Sequence, residues 1–275
     1  MTLSTLGDMY ARYVALGDSS TEGLDDPDGA GGYRGWADRL AEALANANPD
    51  LLYANLAIRG RLAGQVRAEQ LDRALELQPD VTTVFAGVND LLRPGFDVTA
   101  VVADVEHMQR ALVDAGATVL TFTMPDPSRV LPVVKRLRPR VDVFNDALRE
   151  AAARSGARLV DVGAYPVAGD PRLWAEDRLH ANAVGHARIA AALADALGLP
   201  GSDGSWTEPL PLPARRRPHQ VVRAELAWTR RHLLPWVARR LRGESSGDGV
   251  QPKRPELAPV TPFGGGVTSA GPGRS

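Results

Sequence analysis

Short apolar runs alternate with longer amphipathic stretches from residue 12 to about residue 198. Five of the runs, at 13–16, 51–57, 81–85, 118–123 and 158–162, are rich in Val, Leu or Thr and bounded by Gly, Pro, Asn or Asp, which predicts strands. They are apolar throughout rather than alternating, as expected when helices cover both faces of a parallel sheet. The clearest helix is predicted over 98–115, where Val98, Val101, Val102, Val105, Met108 and Leu112 recur every three or four residues. Further helices are predicted over 36–47, 65–77, 141–155 and 183–197. Five βα units in succession predict a doubly wound α/β domain over residues 1–199. In such sheets ligands sit outside the carboxyl ends of the strands, near the topological switch point.

The pattern breaks after Leu199. Residues 200–219 are rich in Pro, Gly and Ser and read as a linker, and residues 220–242 as a basic amphipathic helix interrupted at Pro235. Residues 243–275, rich in Gly, Pro and Ser, are predicted to be a disordered tail. On this division every candidate catalytic block lies upstream of Leu199, so a chain ending there is expected to keep its chemistry. Charge sharpens the picture. Between Arg215 and Arg242 stand nine Arg and one Glu, a local charge of +8 in a chain of net charge −1, which leaves −9 for the remainder. An acidic body with a basic appendage allows three readings of the appendage: a helix folded back on the domain, adsorption to an anionic membrane surface helped by Trp228 and Trp236, or an acidic protein partner. Nucleic acid is not expected. Hydrophobic residues at 44% and charged residues at 24% suit a soluble globular protein. The start of the chain lacks a basic region followed by an apolar run, and a cytoplasmic location is expected. Cysteine is absent, which excludes disulfides and thiolate chemistry.

Candidate chemistry lies at the strand ends. The first strand runs into Gly17-Asp18-Ser19-Ser20-Thr21-Glu22-Gly23, which puts Ser19 where a doubly wound sheet places reacting groups. A serine hydroxyl is a weak nucleophile and needs a neighbouring base. Of the five histidines, His107 falls in a helical stripe and His219 and His232 in the appendage. Asp177-Arg178-Leu179-His180 places a carboxylate three residues before an imidazole, so Asp177 can hold Nδ1 and leave Nε2 for Ser19. His186, at the start of the last helix, is expected to pack or cap there. The imidazole of His180 is expected to titrate near its unperturbed pKa of about 6.5. Acyl transfer also needs donors aimed at a developing oxyanion, and Asn55-Leu56-Ala57-Ile58-Arg59-Gly60 and Gly87-Val88-Asn89-Asp90 follow strands two and three. Taken singly, each block is an ordinary loop.

Together the blocks supply Ser19, Gly60, Asn89 and His180 in chain order, and over residues 10–198 the sequence resembles the SGNH hydrolase family, the GDSL-like lipases and esterases. The resemblance implies a flavodoxin-like three-layer sandwich whose five-stranded parallel sheet has the order 2-1-3-4-5. It implies Ser19 as nucleophile, His180 as base oriented by Asp177, an oxyanion hole of Ser19, Gly60 and Asn89, a small-molecule ester as substrate, and no metal or organic cofactor. Tyr33, Arg34 and Trp36 are expected to line the substrate groove, unless Trp36 instead seals its helix to the sheet. Asp126, Ser128 and Arg129 are expected to border the same crevice. An acyltransferase acting on a sugar or other alcohol, and a catalytically silent carbohydrate- or lipid-binding module, are the alternatives. A metal-dependent phosphoesterase using Asp18, Asn89, Asp90 and His180 is disfavoured, because paired histidine or carboxylate motifs are missing.

Overall fold

The structure, a computed structural model, describes residues 10–126, 128, 130, 132–211, 228–233, 235 and 245–261. Five strands, β1 (Arg12–Gly17), β2 (Leu52–Asn55), β3 (Val81–Phe85), β4 (Thr118–Phe122) and β5 (Arg158–Val160), pair in parallel. They take the order 2-1-3-4-5, and both faces are covered by helices, as the apolar runs required. On one face lie α2 (Gly35–Ala47) and α7 (Ala183–Leu197), packed over Tyr13, Tyr53, Phe85 and Phe122. On the other lie α3 (Ala63–Glu76), α5 (Val98–Asp114) and α6 (Arg138–Ser155), packed over Val14, Leu16 and Val84. Two one-turn helices, α1 (Ser19–Glu22) and α4 (Val88–Leu91), begin within two or three residues of the ends of β1 and β3.

The sheet has six strands, one more than expected. Arg254–Pro259 forms β6, antiparallel to β2, with Leu52 opposite Pro259 and Tyr53 opposite Ala258 and a register shift before Asn55 meets Arg254. Residues 245–261 were expected to belong to a disordered tail. An edge position explains how two prolines fit a strand, since a prolyl nitrogen facing away from the neighbour costs no ladder bond. The segment is anchored by side chains as well as by backbone. Lys253 Nζ donates to Tyr33 O, Arg34 O and Asp38 Oδ2, each at 2.9 Å, and the Arg254 guanidinium lies over the Tyr53 ring.

The expected linker also joins the domain to some extent. Trp206 is buried against α7 and the Tyr165 ring, and its indole N–H donates to Asp195. Most of 220–242 lies outside the described residues. Within it, Trp228 is buried, donates from Nε1 to Asp177 O at 3.3 Å, and carries the Arg178 guanidinium over its ring. That portion of the appendage folds back on the body. Among the described residues no helix is long and apolar enough to cross a membrane.

Candidate active site

β1 ends at a glycine because nothing larger fits: a Cβ on Gly17 would meet Thr21 Oγ1 at 2.2 Å and Phe85 O at 2.5 Å. The buried Gln70 side chain accepts from Gly17 N and donates to Gly17 O, which fixes the turn from both sides. Asp18 then caps α1 through Ser20 N, and Ser19 opens the helix, half-buried. Glu22, buried beneath, takes the backbone N–H and the guanidinium of Arg59 and so ties this turn to the loop that carries Gly60.

Residues 174–181 bring in the imidazole. Trp174 bridges Ala181, Ala175 N donates to His180 O, and Arg178 adopts a left-handed φ of 61° at the tip. Asp177 Oδ1 accepts from the backbone N–H of Leu179 and His180, at 2.9 and 3.1 Å. Its Oδ2 lies 2.6 Å from His180 Nδ1, and His180 Nε2 lies 2.8 Å from Ser19 Oγ. With Nδ1–H directed at a carboxylate, Nε2 presents its lone pair to the serine hydroxyl. Ser19, His180 and Asp177 therefore form one continuous hydrogen-bonded relay.

A second carboxylate stands beside the first. Asp25 Oδ2 is 3.3 Å from His180 Nδ1, and Asp25 has a left-handed φ of 65°, a conformation that Asp tolerates better than most residues. Burial pushes the His180 imidazolium toward deprotonation, but Asp177 and Asp25 outweigh it and raise the pKa to about 9. The unperturbed value expected from the sequence does not hold. Burial would likewise raise Asp177, yet its bonds to His180 and to backbone N–H groups keep that carboxyl below the usual range. Asp25 was not anticipated; nothing in its sequence spacing links it to His180. His186 is a different case. Fully buried, it accepts from Trp36 N at Nδ1, and its Nε2 faces Leu24 O at 3.0 Å. Burial lowers its pKa to about 4. A neutral His186 thus joins the Asp25 loop to α2, the packing role expected of it.

Of the two oxyanion candidates, Asn89 lines the cavity beside Ser19, whereas Gly60 lies under the turn at 245–247. Asn89, in α4, donates from Nδ2 to Asp18 Oδ2 at 3.0 Å and to Arg61 O at 3.1 Å. Both amide hydrogens are engaged, so a substrate oxygen has to take one of them over. Asp18 itself is buried, which raises its carboxyl to about 6. Gly60 has φ of 76°, and a Cβ there would meet Ser245 Oγ at 2.6 Å, so the turn leading to β6 rests on this loop.

Of the residues expected to bind substrate, Tyr33, Arg34, Trp36 and Asp126 do not line the cavity beside Ser19. Trp36 is 0% exposed, sets its ring edge-on to Phe122, and donates from Nε1 to Ser20 Oγ, so it seals α2 to the sheet and does not line a groove. Arg34 pairs with Glu42, and the Tyr33 ring packs under Arg59. Asp126 accepts from Ser128 N and borders a separate polar cleft with Arg138, Asp142 and Asn145. Arg129 lies outside the described residues. The space beside Ser19 is instead a cavity of about 130 Å³ walled by residues from the ends of β3 and β4, the turns after β5, α7 and Trp206. These wall residues are scattered over more than a hundred positions and form no local pattern in the sequence.

Among the described residues one group could hold a metal ion, Asp25, Asp177 and His180. It coincides with the relay, so an ion there would have to displace the Nδ1 proton shared with Asp177. Asp18 and Asn89 bond each other instead of joining that group.

Among known proteins, the profile of the GDSL-like lipase/acylhydrolase family matches residues 15–188. The chain belongs to this family. It is a carboxylic ester hydrolase of the SGNH type. No curated protein matched the sequence. Among solved structures, an α/β hydrolase enzyme, LAE5, from the metagenome of Lake Arreo in Spain is similar at 25% identity and a TM-score of 0.54, over 68% of this chain and 95% of that one. TesA matches at 24% identity and a TM-score of 0.55, over 68% and 97% of the two chains. Axe2, an acetylxylan esterase from Geobacillus stearothermophilus, shares the fold at 17% identity and a TM-score of 0.57, over 72% and 96%.

Proposed function

We propose that this SGNH hydrolase cleaves esters through an acyl-enzyme on Ser19. The observation that carries the reading is the unbroken relay from Ser19 Oγ to His180 Nε2 at 2.8 Å and from His180 Nδ1 to Asp177 at 2.6 Å. Ser19 Oγ attacks the ester carbonyl carbon while its proton passes to Nε2. The carbonyl oxygen gains the negative charge, which Ser19 N–H, Gly60 N–H and one hydrogen of the Asn89 amide stabilise. When the tetrahedral centre collapses, the C–O bond to the alcohol breaks and the Nε2 proton leaves with the alkoxide. Water then repeats the sequence on the acyl-enzyme, giving its proton to His180 and releasing the carboxylic acid and Ser19. Asp177 holds the imidazole in the tautomer this requires and stabilises the transient imidazolium.

Ser19→Ala tests the assignment, with turnover of a soluble p-nitrophenyl ester, labelling by a fluorophosphonate and the far-UV spectrum measured together. Turnover should fall by about 10⁴-fold or more, labelling should vanish, and the spectrum should not change. A folded variant that keeps more than a few per cent of its activity would exclude Ser19 as the nucleophile.

A further inference from the structure

The cavity beside Ser19 joins the relay residues to a mostly apolar lining. Ser19, Asn89 and His180 line it together with Phe85, Phe122, Val162, Val167, Ile189 and Trp206. Five of the last six are nearly buried, and Ile189 is partly so. Phe85 and Phe122 stack with ring centroids 4.0 Å apart, so this stretch of the wall is set by packing within the core.

Several of the polar groups that reach the walls are engaged elsewhere. Trp174 Nε1 donates to Ala168 O, and Trp206 Nε1 donates to Asp195 Oδ2, both at 3.1 Å. Arg188 Nη1 donates to Trp206 O and Glu208 O, at 2.7 and 2.6 Å. A sugar pushed inward would therefore leave water and find little to replace its hydrogen bonds, a loss that a site of this kind does not repay. An alkyl chain would lose only unfavourable contact with water.

Resting on the acyl-enzyme reading above, we infer that this cavity is the acyl pocket and that the enzyme selects esters of medium-chain carboxylic acids over acetylated sugars. Two steps fix which half of the ester enters. His180 must hand a proton to the departing alcohol and then take one from water, so the space on its solvent side has to be vacated and refilled between the steps. The acyl group stays bonded to Ser19 through both steps and can occupy the cavity throughout. Size sets the length. A cavity of about 150 Å³ lined by aliphatic and aromatic side chains holds one benzene, six carbons; the 130 Å³ here admits five or six carbons beyond the carbonyl, a hexanoyl or heptanoyl group.

The test is kcat/KM of the full-length protein on p-nitrophenyl esters from acetyl to dodecanoyl, with an acetylated xylooligosaccharide alongside. Each methylene added up to hexanoyl should raise kcat/KM about fourfold, the factor equivalent to about 0.8 kcal/mol per buried methylene. Beyond heptanoyl the gain should cease. Ile189→Trp, which fills the cavity from α7, should lower the hexanoyl-to-acetyl ratio at least tenfold, and a ratio on one preparation does not depend on how much of the variant folds. A wild-type protein that prefers acetyl, shows no chain-length dependence or favours the acetylated sugar overturns the inference, as does an unchanged ratio in Ile189→Trp. Absence of turnover on every ester, together with no fluorophosphonate labelling of Ser19, would instead overturn the acyl-enzyme reading and this inference with it.

Discussion

Two carboxylates against one imidazole nitrogen change the pH at which His180 can accept a proton. Only neutral imidazole takes the proton of Ser19. Burial favours that form, but Asp177 and Asp25 favour the charged form more strongly and hold the pKa near 9. Hence kcat/KM should climb between pH 6 and about pH 9, with no plateau at neutral pH. Asp25→Asn keeps the side-chain shape and removes one of the two charges, so the limb should move to lower pH; an unmoved limb would show that Asp25 does not reach the imidazole in solution. Linkage gives an independent reading of the same pair. A folded-state pKa raised above the unfolded value of about 6.5 adds stability that is fully present below that pH and is lost as pH rises through about 9. The wild-type protein should therefore lose more melting temperature between pH 7 and pH 10 than Asp25→Asn does. Because the Asp25 side chain is 44% exposed, solvent screens its share and the difference should be modest. This is also where legibility ended at the residue scale. Ser19 and His180 stood out because a glycine-flanked serine at a strand end and a DxxH block are local patterns with chemical meaning. Asp25 reaches the same imidazole only because His186 and Asp26 fold its loop against α2.

Each of the five parallel strands was legible, with ends within two residues of those observed, because burial on both faces forces a continuous apolar run. β6 was not. Its sequence, Arg254-Pro255-Glu256-Leu257-Ala258-Pro259, has exposed positions, two prolines and no alternation, and only the open edge of β2 gives it a partner. Beyond the backbone ladder, Lys253 helps to hold it there. Lys253 is pressed into the body, and burial lowers its pKa, yet it bonds two carbonyls and Asp38. Lys253→Met preserves much of the side-chain volume and removes all three bonds. Hydrogen bonds from a charged donor are worth about 1.5–3 kcal/mol, and Tyr53 OH still satisfies one oxygen of Asp38, so a loss of about 2 kcal/mol is expected. Urea denaturation measures it. A change below about 0.5 kcal/mol would show that the strand is held by its backbone ladder and not by this anchor.

At the scale of the molecule, the catalytic blocks lie upstream of Leu199, but the chain beyond it supports them at three points. Trp206 closes one side of the cavity wall, Trp228 donates to the carbonyl of Asp177, and the Ser245 turn rests on Gly60 ahead of β6. The consequence for truncation reverses the expectation drawn from the sequence. Fully burying a large apolar side chain contributes about 1.5–3 kcal/mol, so losing two tryptophans alone removes several kcal/mol from a total that is typically about 5–15 kcal/mol. A chain ending at Leu199 also leaves β2 as an open edge, with unpaired backbone groups that invite association. It should therefore melt well below the full-length protein, express with lower solubility, and turn over a small acetyl ester at least tenfold more slowly. A chain ending at Pro211 keeps Trp206, so some of the lost stability should return. Activity should stay low in that chain, since the supports at Asp177 and Gly60 are still missing. Melting curves and single-ester kinetics on the two truncations separate these contributions. Full activity in a well-folded 1–199 chain would mean that the relay and the Gly60 loop hold their geometry unaided, and that everything after Leu199 serves some purpose other than supporting the site.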